Sequence, residues 1–282
     1  LAEPLERLFS RLSELATLPA LAVRIIDAAA QTDNSALELT RLIEHDPVLT
    51  TRLMRLANSA YFSQSQQVDS IGRAVSLLGN RRLANLAATV IVARQFLSQP
   101  HPDGLSRERL WKHSAAVAAL AQLIAERTGA EDPERAYLAG LLHDFGVLMI
   151  DQMLPRQMSA VMQAMELRGC LTQAVHDVLR FRPEQLGGYA IRRSNLPIAI
   201  AEAVEWHRTP RDCDESHRML ADIVHFADYL SVRCGVGIFE VRRKQPPCEA
   251  VKKRLGIDET MLGELWPAVE QRVGEVQHFA LE

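Results

Sequence analysis

Five side chains between residues 113 and 228 of this 282-residue chain could meet and do chemistry. His143 and Asp144 sit side by side in AGLLHDFGVLMI, a stretch that is otherwise apolar. Burying an ionised carboxylate there costs several kcal/mol unless something pairs with it. His113 lies three residues after Leu110 and four before Val117, on a helical stripe that also carries Leu120 and Ile124. His207 follows Ile200 and Val204 at similar spacing, and Asp228 follows Ala221 and Val224 in IVHFADYLS. These spacings turn polar groups toward a core. Imidazole and carboxylate together suit a divalent ion such as Mn, Fe, Zn, Ni or Mg. A hydrogen-bond network, or water at a cleft edge, is the alternative. A lone inward histidine is more often a hydrogen-bonded core residue, and His45, His101, His176, His217 and His278 take that reading or plain surface exposure. The combination shifts the balance, because a neutral network has to satisfy every member. Adjacent residues reach one ion only where a helix ends or bends, and Gly146 permits such an ending.

The elements that position these groups read as all-α, since helical periodicity dominates and strand alternation is nearly absent. Residues 1–98 carry several short helices, with Asp46-Pro47 as a cap and first-turn proline, Pro19 placed to open another helix, and Asn34 or Ser35 as a further cap. LSQPHPDGLS marks the expected boundary before a second part at 105–282. Helices are expected there near 107–128, 133–145, 152–168, 171–181, 197–207 and 216–233, with Asp132-Pro133 and Leu196-Pro197 as the strongest start signals. The stretch 234–248 reads as a loop with a brief extended piece.

Hydrophobic residues make up 48% of the chain, enough for a sizeable core. A net charge of -3 gives no sign of a nucleic-acid or membrane-surface protein, although a local patch could hide in it. Cys170, Cys213, Cys234 and Cys248 form no C-x-x-C pair, which argues against a zinc ribbon and fits a reducing, cytoplasmic setting. The apolar run at 115–125 is too short to span a bilayer, so no membrane insertion is expected. The opening residues carry no signal-peptide pattern, and a start at Leu1 reads as a trimmed piece of a longer chain.

The segments LWKHSAAVA, LAGLLHDFG and IVHFADYLS resemble the motifs of the HD superfamily of metal-dependent phosphohydrolases. LPALAVRIIDAA, LTRLIEHDPVLTTRLMRLANSAYF and SIGRAVSLLGNRRLANLA are similar to the amino-terminal half of the HDOD family, the HD-related output domain. Together the resemblance covers about residues 15–232, so the chain can also be read as one such domain with a carboxy-terminal extension. The resemblance implies a bacterial signalling module that acts through partners without catalysis. It implies one divalent ion on His113, His143, Asp144 and Asp228. The match departs from active hydrolases where lysine is expected and Val147 stands, and where histidine is expected and Arg182 or Pro183 stands. A double histidine is reduced to His207 followed by Arg208, two residues that could touch a ligand or a phosphate. A second metal site is therefore expected to be broken.

Three functions follow. The leading one is a non-catalytic signalling module that contacts signalling proteins or a small ligand, with homo-oligomerisation left open. The alternative is a single-metal phosphohydrolase. The third is a nucleic-acid binder using Arg73, Arg81 and Arg82, on the helix–glycine–helix rhythm of SIGRAVSLLGNRRLANLA. No aromatic residues interleave those arginines, so a solvated face is the stronger reading.

Overall fold

The computed structural model describes residues 6, 8–11, 18–30, 35–58, 68–97, 105–239 and 249–276. They form fifteen α-helices and one 3-10 turn, with no strand among the described residues, so the all-α expectation holds. The expected boundary at 98–104, part of the 234–248 loop and the first expected helix fall largely outside these residues. Residues 234–239 of that loop are turns and irregular backbone.

The first part contributes α1 (Ala20–Ala30), α2 (Ser35–Glu44), α3 (Pro47–Ala57), α4 (Ile71–Leu78) and α5 (Asn80–Leu97). Asp46 caps α3 as its spacing predicts, its carboxylate accepting from Val48 and Leu49 N–H at 2.9 Å with Pro47 opening the helix. Gly79 separates α4 from α5 at φ +80°, a conformation that favours glycine. Every residue from Leu83 to Ala93 of α5 is buried. One side of α5 packs on α1 and α3, the other on the second part.

That second part is built around α6 (Arg107–Thr128), followed by α7 (Pro133–Leu142), α8 (Phe145–Met153), α9 (Pro155–Arg168) and α10 (Leu171–Leu179). Then come α11 (Pro183–Arg193), α12 (Ile198–Trp206), α13 (Arg218–Arg233), α14 (Glu249–Leu255) and α15 (Glu259–Val276). The apolar run at 115–125 is the buried middle of α6, and no described helix is long and apolar enough to cross a membrane. Helices α5, α7, α13 and α15 all lie against α6. Gly140 lets α7 approach α6 closely, because a Cβ there would come within 2.8 Å of the Val117 carbonyl oxygen. The two parts are tied by polar contacts as well as apolar ones. Arg81 pairs with the α7 cap Asp132, Asn85 donates to Glu134, and Thr89 shares a hydrogen bond with Tyr137.

Candidate metal centre

Helix ends aim most of the site. His143 closes α7 and Asp144 opens α8, so the pair lies at the turn between two helices. The sequence places the break near Gly146, but it falls at residues 143–144, and Gly146 lies inside α8. That glycine serves packing instead. A Cβ on it would sit 1.9 Å from the Pro183 carbonyl oxygen, so it allows α8 to press against the start of α11. Asp144 occupies a cap position yet makes no side-chain capping bond, which leaves its carboxylate for the site. His207 closes α12, His113 lies in the second turn of α6, and Asp228 lies within α13. All five are buried, none exposing more than 3% of its surface.

Three imidazoles are held the same way. Nδ1 of His113 donates to the Val236 carbonyl at 2.9 Å, Nδ1 of His143 to Gly140 at 2.7 Å, and Nδ1 of His207 to Val204 at 2.9 Å. Ser231 Oγ supports the first of these, donating to the same Val236 oxygen. With each Nδ1 proton spent on a carbonyl, each Nε2 presents a lone pair. His113 Nε2 and His143 Nε2 then lie 3.3 Å apart. Asp228 Oδ1 is 3.3 Å from the first, and Asp144 Oδ2 is 3.1 Å from the second. Neither Asp144 Oδ2 nor His207 Nε2 has a hydrogen-bond donor.

Electron-rich atoms facing one another in a dry site repel unless positive charge lies among them. Two sets of donor atoms fall within 4.8 Å of one another, His113 with His143 and Asp228, and His143 with Asp144 and His207. Backbone carbonyls that fix the ring tautomers are the supports metal-ligating histidines use. The donor set therefore fits a divalent ion, and the structure brings together all four expected ligands with His207.

The electrostatics carry the same demand. Burial pushes the Asp144 carboxyl up, but His143 and Arg208 outweigh it and hold it well below the usual carboxylate range. Burial also disfavours a charged His143, yet Asp144 and Asp228 raise its pKa above the ordinary histidine value. These carboxylates draw positive charge onto Nε2, which a proton supplies singly and a divalent ion doubly. Burial and neighbouring Arg208 push the His207 pKa well down, which keeps that ring a neutral lone-pair donor.

Arg208 reaches the same carboxylates. Its Nε donates to Glu184 at 2.5 Å, one terminal nitrogen donates to Asp144 at 3.3 Å, and the other stands 4.0 Å from Asp228. It is the group in this cluster that meets solvent, with 28% of its side chain exposed against 1% for Asp144 and Glu184. Glu184 is absent from the sequence-based set. An acid after Pro183 in the first turn of α11 looks like ordinary helix charge, and a separation of 24 positions from Arg208 hides the pairing. His225 is absent too. It donates to the backbone oxygen of His207 at 2.7 Å and braces the helix end that carries that ring.

The arginines of the first part go elsewhere. Arg81 pairs with Asp132, while Arg73 is exposed and Arg82 half-buried. A recognition helix needs a free face to enter a groove, and α5 has none from Leu83 to Ala93. Val147, where a phosphate-binding lysine is expected in hydrolases, is fully buried in the core.

Among known proteins, an HDOD domain protein of unknown function from Geobacter sulfurreducens has the same fold, with a TM-score of 0.84 and 27% identity over 99% of this chain and 100% of that one. A Marinobacter aquaeolei VT8 chain, provisionally named a signal transduction protein, matches with a TM-score of 0.78 and 26% identity over 95% of this chain and 59% of that one. An uncharacterized protein of Treponema pallidum (strain Nichols) is 24% identical over 220 residues, which span 77% of this chain and 42% of that protein. The sequence pattern of the HDOD domain matches residues 15–210, taking in His113, His143, Asp144, His207 and Arg208 and stopping short of Asp228. The chain belongs to the HDOD domain family.

Proposed function

We propose that this chain is a non-catalytic signalling module whose buried centre holds one divalent ion as a structural element. His113, His143, Asp144 and Asp228 are the proposed ligands, with His207 beside them. Mn, Fe, Ni, Zn and Mg all suit a mixed imidazole–carboxylate set, and the set does not choose among them. When bound, the ion cross-links α6, α7, α8 and α13 and adds its binding free energy to folding.

One observation carries the non-catalytic reading. The donor atoms are buried, and the most exposed side chain paired with them is Arg208, fastened to Glu184. A phosphohydrolase centre needs room for water and a phosphoryl group at the ion. Here an approaching phosphate ester meets an ion-paired guanidinium. The buried Val147 removes a further phosphate contact. The provisional naming of the Marinobacter relative supports a signalling role, carried out through partner proteins or a small ligand.

The test is direct. The protein is loaded with Mn and offered mono- and diesters of phosphate, including cyclic dinucleotides. The expected result is metal-dependent thermal stabilisation with no turnover. Turnover that tracks metal content and is abolished by Asp144→Asn in a folded protein would make the chain a single-metal hydrolase.

A further inference from the structure

We infer that the Arg208 guanidinium, anchored by Glu184, stands in for a second cation, so that the centre takes one divalent ion and excludes a second. This rests on the ion-site reading above.

The argument begins with charge. Three buried carboxylates, Asp144, Glu184 and Asp228, face one guanidinium in a cluster where the largest carboxylate exposure is 4%. The guanidinium answers one of the three negative charges. With the imidazoles acting as neutral donors, a single divalent ion answers the other two. A second divalent ion would leave two uncompensated positive charges in a low-dielectric site, which is costly.

Geometry agrees with charge. Asp144 divides its oxygens, Oδ2 facing His143 and His113 while Oδ1 accepts from Arg208. Asp228 does likewise, with Oδ1 toward His113 and Oδ2 toward Arg208. Each aspartate thus bridges two positions, one ringed by imidazoles and one filled by the guanidinium. Paired metal sites place two ions about 3.5–4 Å apart on bridging oxygens. The guanidinium occupies the second position of such a pair. Glu184 fixes it there through the 2.5 Å bond to Nε, and Glu184 in turn accepts from Thr172 at 2.8 Å, so the anchor is itself held. Glu184 Oε2 lacks a donor, so removing the guanidinium would expose a carboxylate able to bind metal.

The experiment measures stoichiometry and spin coupling. Wild-type protein, saturated with Mn and freed of excess, is expected to hold one ion per chain by elemental analysis, with the electron paramagnetic resonance spectrum of isolated Mn. Arg208→Gln is expected to hold two, with a spin-coupled spectrum. Arg208→Gln combined with Glu184→Gln is expected to return to one, and Arg208→Lys to stay at one. A single ion in folded Arg208→Gln overturns the inference and leaves the ion site standing. No ion in wild type overturns the ion-site reading itself. If Arg208→Gln does not fold, Glu184→Gln decides. It leaves the guanidinium charge unanswered beside the ion, and Mn affinity is expected to fall about tenfold, in the range for residues that support ligands. Unchanged affinity in that variant overturns the inference.

Discussion

Helix α8 carries two buried aspartates with opposite surroundings. At its start, Asp144 faces three imidazoles and keeps one oxygen without a donor. Two turns on, Asp151 is closed off. Arg107 Nε donates to its Oδ2 at 2.6 Å, and the Leu105 N–H reaches its Oδ1 at 3.4 Å. The Asp151 side chain is fully buried and Arg107 is 8% exposed. Farther off, Asp222 is closed in the same manner, with Arg254 bound to both of its oxygens at 2.6 and 2.7 Å. Burial alone therefore does not mark a site in this molecule. A shortage of donors does, because an unmet acceptor in a dry interior costs about 1–3 kcal/mol and persists where something else is meant to meet it.

The largest effect expected on this contrast comes from the backbone beneath both aspartates. Gly146→Ala drives a Cβ into the Pro183 carbonyl and the Gly187 nitrogen, and neither backbone atom can swing aside. A loss of about 3 kcal/mol or more is expected, at the upper end for overpacking. Urea unfolding measures it, and a loss under 1 kcal/mol would mean α8 and α11 can separate freely.

Asp151→Ala comes next. It removes a carboxylate partner of the buried Arg107 charge and should cost about 3 kcal/mol, the lower end of the range for breaking a buried pair. The loss should be the same with metal or with chelator. Asp144→Asn should behave differently, with its cost depending on metal. Wild type at about a hundredfold excess of Mn over Kd should gain about 2.7 kcal/mol. For a chain of this size that is a rise of roughly 5–10 °C in Tm. Asp144→Asn should erase that gain and change the chelated protein far less. Equal metal dependence in Asp144→Asn and Asp151→Ala would erase the contrast.

The difference was partly legible in the sequence. Periodicity turned His113, His207 and Asp228 inward, and the structure buries all three. The Asp-Pro pairs at 46–47 and 132–133 announced helix starts because capping and first-turn proline are local chemistry. Partners were not legible. Nothing local distinguishes Asp151, matched by Arg107 from 44 residues away, from Asp144, which is left open. Arg208 could be listed as a ligand contact, but its anchor Glu184 could not, because the pairing exists only once α11 and α12 pack together. The helix break was misplaced by two residues for a related reason. A glycine needed for a close helix contact looks, in sequence, like one needed for a turn.

The smallest effect expected concerns a half-buried aspartate that is neither closed nor open. Asp132 caps α7, donors at Glu134 and Arg135 N–H lying 2.9 and 3.0 Å from its Oδ1. Burial pushes its pKa up, but Arg81 and the two N–H groups outweigh that and lower it. A lowered folded value means its contribution is full above the ordinary aspartate range and lost as pH falls through the folded value. Asp132→Ala should cost about 1 kcal/mol at neutral pH, the usual worth of such a cap. It should also flatten the loss of stability between pH 4 and pH 2, measured by denaturant titration at each pH. An unchanged acid limb would show that the cap carries no such contribution.

Helix α5 serves as a party wall. Its run from Leu83 to Ala93 is covered on every side, by the first part on one flank and by α6 and α7 on the other. Prising the flanks apart would wet Leu83, Leu86, Val90, Ile91 and Val92. Exposing even half of that surface costs on the order of 5 kcal/mol. That is as much as the entire margin by which many domains stay folded. A hinge at this wall is thus closed to the molecule, and any displacement of one flank has to carry the wall with it.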